Sequence, residues 1–219
     1  MKKVGVILSG SGFLDGAEIR ESVFTVLALD LLDVEIKFYA PDINQHHVIN
    51  HLSGEEVNES RNILNESARI ARGDIKNLDQ LDVSQLDALI LPGGFGVAKN
   101  LCNFAFKGPE GEVLEILKKK ISEFHDQKKP IGGICIAPAL LAMIFANNKV
   151  VVTIGNDNET KNAIESLGAI HKDCKVNEIC IDENNKIITT PAYMYGDARA
   201  KDIFEGIQAC VKKVVEMSN

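Results

Sequence analysis

Several features that would assign this chain to a class at once are missing. It has no tryptophan, and aromatic residues make up only 5% of its 219 residues. The first apolar run, residues 4–8, is too short for a signal-peptide core or a membrane span. Five cysteines without a C-x-x-C pair or a His/Cys cluster offer neither a disulfide framework nor a zinc site. These absences predict a reduced, cytoplasmic protein with no metal.

The charge balance limits the classes of partner that the chain can bind. Asp and Glu number 31 against 24 Lys and Arg, so the net charge is −7 and the pI is near 5.3. An acidic chain is poorly suited to nucleic acid or to anionic lipid. With 45% hydrophobic residues, the chain can bury roughly 70% of its unfolded surface. We expect one globular domain, residues 1–219, that acts on small molecules or proteins.

Apolar strands alternate with amphipathic helices along the chain. This alternation predicts an α/β fold with a doubly wound, mostly parallel sheet and helices on both faces. Predicted strands cover residues 4–8, 34–39, 87–91, 130–134 and 149–154, followed by a hairpin over 178–190 and a helix over 197–217. Residues 43–73 are too long for a plain connection and predict an excursion that caps the sheet edge or supplies a subunit contact. Its histidines, His46, His47 and His51, predict a solvated hairpin rather than a metal site.

Cys135 lies where an apolar strand meets a helix opened by Pro138. Gly133 and Ala137 flank it in the pattern G-x-C-x-A, a nucleophile elbow with cysteine in place of serine. Unpaired N–H groups at a helix N-terminus favour a thiolate, so we expect the Cys135 pKa to fall below its usual value. The alternative, an ordinary buried cysteine, does not explain the local pattern.

Two further glycine-rich loops follow predicted strands. Gly93 and Gly94 lie in the loop after residues 87–91, where glycines let backbone N–H groups stabilise an oxyanion. Lys99 and Asn100 come next as candidate pocket residues, although an exposed position is equally compatible with the pattern. The loop containing Gly10 could suggest a dinucleotide site, but no acidic residue ends the second strand, which disfavours that interpretation. Gly10 is instead a further candidate pocket residue.

Glu18 has two compatible interpretations. Asp15 and Glu18 have the spacing of a capping box, with Asp15 as the N-cap of a helix and Glu18 at its third position. Glu18 also follows the first strand, at the sheet edge where Cys135 should lie. It is therefore a candidate partner of the thiol as well as a cap.

The ordered motifs resemble those of the ThiJ/PfpI superfamily, and residues 50–55, 61–62 and 71–73 resemble its ElbB-type branch, named for enhancing lycopene biosynthesis. The motifs are residues 7–10, 15–18, 91–96 (LPGGFG), 133–138 (GICIAP) and 189–193 (TTPAY), the last of which contains Tyr193, a candidate pocket residue. The resemblance implies a flavodoxin-like, class I glutamine amidotransferase-like fold, a cytoplasmic homodimer, and a glyoxalase that converts glyoxal to glycolate without glutathione, metal or other cofactor. It further implies Cys135 as nucleophile and Glu18 as its acidic partner.

The chain departs from better-known members of the superfamily in lacking their histidines. Ile136 follows the cysteine where protease-like members have His, and residues 154–156 and 191–193 lack the histidines of other branches. A Cys-His triad cannot be assembled from matching positions. A thiolate attack on a small aldehyde remains, with the oxyanion held by the N–H groups of Gly94 and Ile136. Three functions stay open: a slow glyoxalase, a cysteine-based redox or metabolite sensor, and an amidotransferase-like scaffold subunit that works with a partner, including one linked to isoprenoid biosynthesis.

Overall fold

A seven-stranded sheet forms the centre of the protein. The computed structural model describes residues 1–218, and its strands are β1 (Lys3–Ile7), β2 (Glu35–Ala40), β3 (Val48–Ile49), β4 (Glu56–Val57), β5 (Ile75–Asn77), β6 (Ala88–Leu91), β7 (Ile131–Ile134), β8 (Val151–Val152), β9 (Ile170–His171), β10 (Cys180–Asp182) and β11 (Ile187–Thr190). The central sheet has the order β10-β11-β7-β6-β1-β2-β5, and only the β10–β11 pair is antiparallel. This topology confirms the predicted mostly parallel sheet.

Helices cover both faces of this sheet. They are α1 (Ile19–Asp30), α2 (Ile63–Ile70), α3 (Phe104–Lys107), α4 (Glu115–Asp126), α5 (Ala137–Ile144), α6 (Asn158–Ser166) and α7 (Ala200–Met217). Along β6, Ile90 packs in the cluster that contains α1 and α7 residues, whereas Leu89 and Leu91 pack in the cluster that contains α4 and α5 residues. Successive side chains of a strand point to opposite faces, so a fully apolar β6 fits a sheet buried on both sides.

The predicted strand over residues 149–154 does not join the central sheet. Only Val151–Val152 forms a strand, β8, and it pairs with β9 in a separate two-stranded sheet. The antiparallel β10 already occupies the free edge of β11. Side chains therefore hold this segment: Val151 N–H donates to Asp182 Oδ2 at 2.8 Å, and Thr153 N–H donates to Thr189 Oγ1 at 2.9 Å.

The first helix begins later than its sequence pattern predicts. α1 starts at Ile19, and Glu18 is its N-cap, accepting a hydrogen bond from Glu21 N–H at 2.5 Å. Asp15 is buried in the preceding loop, where its Oδ2 accepts from Ile49 N–H at 2.7 Å. The capping-box prediction for Asp15 and Glu18 is wrong because Asp15 binds the excursion instead of the helix.

The excursion over residues 43–73 contains the β3–β4 hairpin and α2. The hairpin is as predicted, but His47 is not solvated: its Nε2 lies 3.1 Å from Lys99 Nζ, and only 14% of its side chain is exposed. Within residues 1–218, no group of three His, Cys, Asp or Glu side chains could hold a metal ion. No helix within residues 1–218 is long and apolar enough to cross a membrane.

Candidate active site

Cys135 occupies a sharp turn between β7 and α5. Its φ is +61°, in the left-handed region that non-glycine residues rarely adopt. Its N–H donates to Thr190 O on the neighbouring strand at 3.0 Å, which fixes the turn against the sheet. Pro138 lies in the first turn of α5, where its missing N–H has no partner to lose. The positive φ at Cys135 is the strained backbone turn that the elbow pattern predicts.

Two backbone N–H groups and one carboxyl group surround the sulfur. The backbone N–H groups of Gly94 and Ile136 lie near the sulfur and lower the pKa of the thiol, whereas the neighbouring Glu21 carboxyl raises it. Gly93 has a different role, because its N–H donates to Glu21 Oε2 at 2.9 Å. Of the three backbone groups proposed for an oxyanion site, two therefore face the sulfur and the third holds the carboxyl.

Glu21 is the acidic residue in contact with the thiol, and sequence reasoning missed it. Its side chain is fully buried, and its Oε1 accepts from Tyr193 N–H at 3.1 Å. Burial, and next the nearby charge of Glu18, raise the pKa of Glu21 to about 8. The carboxyl is therefore mostly protonated at neutral pH. A glutamate on the helix face that otherwise carries Ser22, Thr25 and Ala28 is the signal that could have revealed it.

Glu18 lies at the rim of the same site. Its carboxylate caps α1, and desolvation raises its pKa, although its hydrogen bond from Glu21 N–H opposes that shift. It lines the pocket that contains Cys135. The structure thus places Glu18 near the thiol while Glu21 makes the direct contact.

The thiol does not have the lowered pKa that the helix N-terminus predicts. Burial, followed by the charge of Glu21, raises the pKa of Cys135 well above its usual value. The two N–H groups from Gly94 and Ile136 oppose this shift, but they do not outweigh desolvation of a side chain that is only 8% exposed. The prediction of a free thiolate is wrong, and Cys135 and Glu21 form a coupled pair that retains its protons at neutral pH.

The thiol lies in a cavity of about 300 Å³ with mostly apolar walls. Its other lining residues are Phe13, Glu18, Gly94, Phe95, Ile136, Thr160, Tyr193 and Met194. Tyr193 accepts a hydrogen bond at its hydroxyl from Arg20 Nη1 at 3.1 Å. No histidine of residues 1–218 lines this cavity. The residues of 1–218 that line the cavity therefore do not provide a histidine as general base.

The remaining candidates lie outside this cavity and stabilise the loop of residues 9–18. Gly10 N–H donates to Ser67 Oγ at 3.0 Å. Lys99 Nζ donates to Leu14 O at 2.9 Å, and Asn100 Nδ2 donates to Asp15 O at 2.8 Å. These contacts give the three residues a structural role beside the site.

A cysteine elbow at the carboxyl end of a central parallel strand is the arrangement of the DJ-1/ThiJ/PfpI superfamily, and comparison with solved structures agrees. DJ-1β of Drosophila melanogaster superposes with a TM-score of 0.57 at 19% identity, covering 99% of this chain and 95% of that one. At that identity the likeness shows the fold, which is the class I glutamine amidotransferase-like fold. The predicted class I glutamine amidotransferase-like fold is confirmed.

Closer relatives define the family. The chain is 44% identical to the rat ES1 protein homolog, mitochondrial, and 43% identical to human glutamine amidotransferase-like class 1 domain-containing protein 3, mitochondrial. Each match covers 99% of this chain and 84% or 83% of the relative. The structure of an isoprenoid biosynthesis protein with amidotransferase-like domain from Ehrlichia chaffeensis has a TM-score of 0.93 at 39% identity, with 99% of both chains covered. The chain belongs to the ES1 family of glutamine amidotransferase-like proteins. No family model matches the sequence.

These relatives contradict one prediction. The rat and human proteins, and the 31% identical ES1 protein of zebrafish, are all named mitochondrial. The predicted cytoplasmic location is therefore wrong. Unpaired cysteines distinguish reducing from oxidising compartments, and they do not distinguish one reducing compartment from another.

Proposed function

We propose that this protein is a slow glyoxalase-like enzyme that converts a small 2-oxoaldehyde to a hydroxy acid without metal or glutathione, with Cys135 as nucleophile. The observation that carries the proposal is the surroundings of its sulfur. Two backbone N–H groups and the Glu21 carboxyl meet the thiol at the wall of a cavity large enough for a small molecule. This set provides a nucleophile, oxyanion donors and a proton carrier.

The Cys135–Glu21 pair supplies the first proton transfer. Once Glu21 has lost its proton, near pH 8, its carboxylate can accept the thiol proton as the sulfur attacks the aldehyde carbon. The new C–S bond converts the carbonyl oxygen to an alkoxide. The N–H groups of Gly94 and Ile136, which lower the pKa of the thiol, are our candidates for stabilising that negative charge. The proton on Glu21 then passes to the alkoxide and completes a hemithioacetal.

Conversion of the hemithioacetal to a thioester needs a second proton transfer. A base removes the C–H proton of the carbon bonded to sulfur, and the adjacent carbonyl oxygen is protonated, which gives an enediol. The enediol then takes a proton on the adjacent carbon while the hydroxyl on the carbon bonded to sulfur loses its proton, which gives the thioester. This internal redox step needs no external oxidant. Glu18 lines the cavity with a less strongly raised pKa than Glu21, which suits it to the role of base. Water then hydrolyses the thioester, releasing glycolate from glyoxal and restoring the thiol.

Glycolate formation from glyoxal tests this function. We expect the wild-type protein to release glycolate and the Cys135→Ser variant to release none above the uncatalysed rate. Cys174→Ser is the matched control, because Cys174 is also buried but lies outside the cavity. Equal turnover by wild type and Cys135→Ser would rule out the nucleophile.

No histidine among residues 1–218 lines the cavity, and this favours a redox or metabolite sensor as a second candidate function. Such a protein would react once at Cys135 without turning over. We expect peroxide to add oxygen to Cys135 above pH 8, where Glu21 has lost its proton and can accept that of the thiol. Intact mass together with a glycolate assay separates the candidates. Oxidation of Cys135 without turnover of any aldehyde supports the sensor. If Cys135 is not oxidised and no aldehyde turns over, the scaffold subunit is the remaining candidate.

A further inference from the structure

We infer that the Cys135 cavity is the inner end of a longer groove, and that the preferred substrate is a 2-oxoaldehyde with an apolar tail. A second cavity of about 470 Å³ adjoins the first and shares three lining residues with it, Phe95, Ile136 and Thr160. The inference rests on the proposed function, because it assigns a substrate class to the same site.

The composition of the outer cavity indicates what the tail should be. The outer cavity is lined by Phe104, Phe106, Pro109 and Ala163. Among the residues of 1–218 that line it, Glu159 alone is charged. Phe95 and Phe106 leave 47% and 49% of their surface exposed. Covering exposed aromatic surface with an apolar chain is favourable, whereas an anionic tail would meet the carboxylate of Glu159.

The size of the inner cavity supports the same conclusion. Glyoxal has four non-hydrogen atoms and leaves most of a 300 Å³ cavity unfilled. A small polar aldehyde would therefore gain little from the apolar walls of Phe13 and Met194. A longer tail can pass Phe95 and Ile136 into the outer cavity while its aldehyde carbon stays at the sulfur.

A series of 2-oxoaldehydes with increasing alkyl length tests the groove. We expect kcat/KM to rise with each methylene from methylglyoxal to the ten-carbon homologue, by up to about fourfold per buried methylene. Ala163→Phe fills the outer cavity, so it should lower kcat/KM at least tenfold for the longest substrate and less than twofold for glyoxal. Asn162→Phe is the control, because Asn162 is an exposed residue of α6 outside this lining.

The result separates the groove from the proposed function. Turnover that depends on Cys135 but not on tail length, or an equal effect of Ala163→Phe on every substrate, would overturn the groove and leave the glyoxalase intact. If no aldehyde turns over, calorimetric binding of 1-decanol, which cannot react with the thiol, decides the groove alone. We expect binding to wild type and to Asn162→Phe and none to Ala163→Phe, and failure of wild type to bind would overturn the inference.

Discussion

Asp15 and Glu21 are both buried carboxyl residues, one in the loop before α1 and the other in its first turn, yet their surroundings differ. Asp15 accepts from the Ile49 N–H and lies 3.7 Å from His51 Nε2, which itself accepts from the Leu14 N–H. Glu21 also accepts backbone N–H groups, but its charged and titratable neighbours are Glu18 and Cys135, which are acidic. The Asp15 carboxyl joins two segments of the chain, whereas Glu21, among acidic neighbours, keeps its proton and can transfer it.

The largest effect is expected from removing the Glu21 carboxyl. Glu21→Gln should lower glyoxal turnover by about 10²-fold to 10⁴-fold, because the thiol loses its proton acceptor. Both carboxyl oxygens accept a backbone N–H, and an amide can accept only one, so the variant should also lose about 1–3 kcal/mol of stability. Glycolate assays on protein shown to be folded by circular dichroism measure the loss. Retained turnover would reduce Glu21 to a structural residue like Asp15.

A smaller loss is expected at Glu18. Glu18→Gln keeps a side-chain oxygen to cap α1 but cannot serve as a base, so turnover should fall by about 10²-fold while stability changes little. Glu18→Ala removes both roles. Its free energy of unfolding should fall by roughly a further 0.5–2 kcal/mol, and about 1 kcal/mol is typical for the loss of an N-cap side chain. Denaturation midpoints and glycolate assays on the same preparations separate the roles. Full activity of Glu18→Gln would leave Glu18 as a cap alone.

Asp15 should affect stability and little else. Asp15→Ala leaves the buried Ile49 N–H without its acceptor, which costs about 1–3 kcal/mol. Its turnover of glyoxal should stay within about threefold of wild type, because Asp15 does not line the Cys135 cavity. Urea denaturation with a parallel assay checks this. A loss of activity as large as that of Glu21→Gln would remove the distinction between the two carboxyl groups.

The dependence of stability on pH is the most gradual effect. The pKa of Glu21 in the folded protein, about 8, lies above its ordinary value of 4.5. Between these two pH values the native state keeps a proton that the unfolded state has lost. The contribution of Glu21 to the free energy of unfolding is fully present below pH 4.5. It is lost as pH rises toward 8, by at most about 1.4 kcal/mol per pH unit. Denaturant midpoints from pH 5 to 8 should show this decline in wild type, and it should be smaller in Glu21→Gln.

The fold could be predicted from the sequence further than the site could. Apolar runs such as β6 and glycine-rich turns are local signals, and they were enough for the sheet and for the Cys135 elbow. Glu21 was missed because its role depends on contacts with Gly93 and Tyr193, which are 72 and 172 residues away along the chain. The helix start was misplaced for a similar reason, since Asp15 has the residue type of a cap but binds the distant excursion.

The pKa of the thiol shows a competition that sequence alone could not resolve. A helix N-terminus favours a thiolate and burial favours a thiol, and the outcome depends on how much water reaches the sulfur. Cys135 is only 8% exposed, and burial dominates. A pattern of residue types gives the direction of the first effect but not the size of the second.

The rate at which iodoacetamide alkylates Cys135 as a function of pH tests the coupled Cys135–Glu21 pair most directly. Peptide mass spectrometry follows Cys135 separately from the other four cysteines. The account predicts slow labelling at pH 6, a rise through about pH 8 as Glu21 loses its proton, and loss of that rise in Glu21→Gln. Fast labelling of Cys135 that is already constant from pH 6 upward would show a free thiolate and contradict the account.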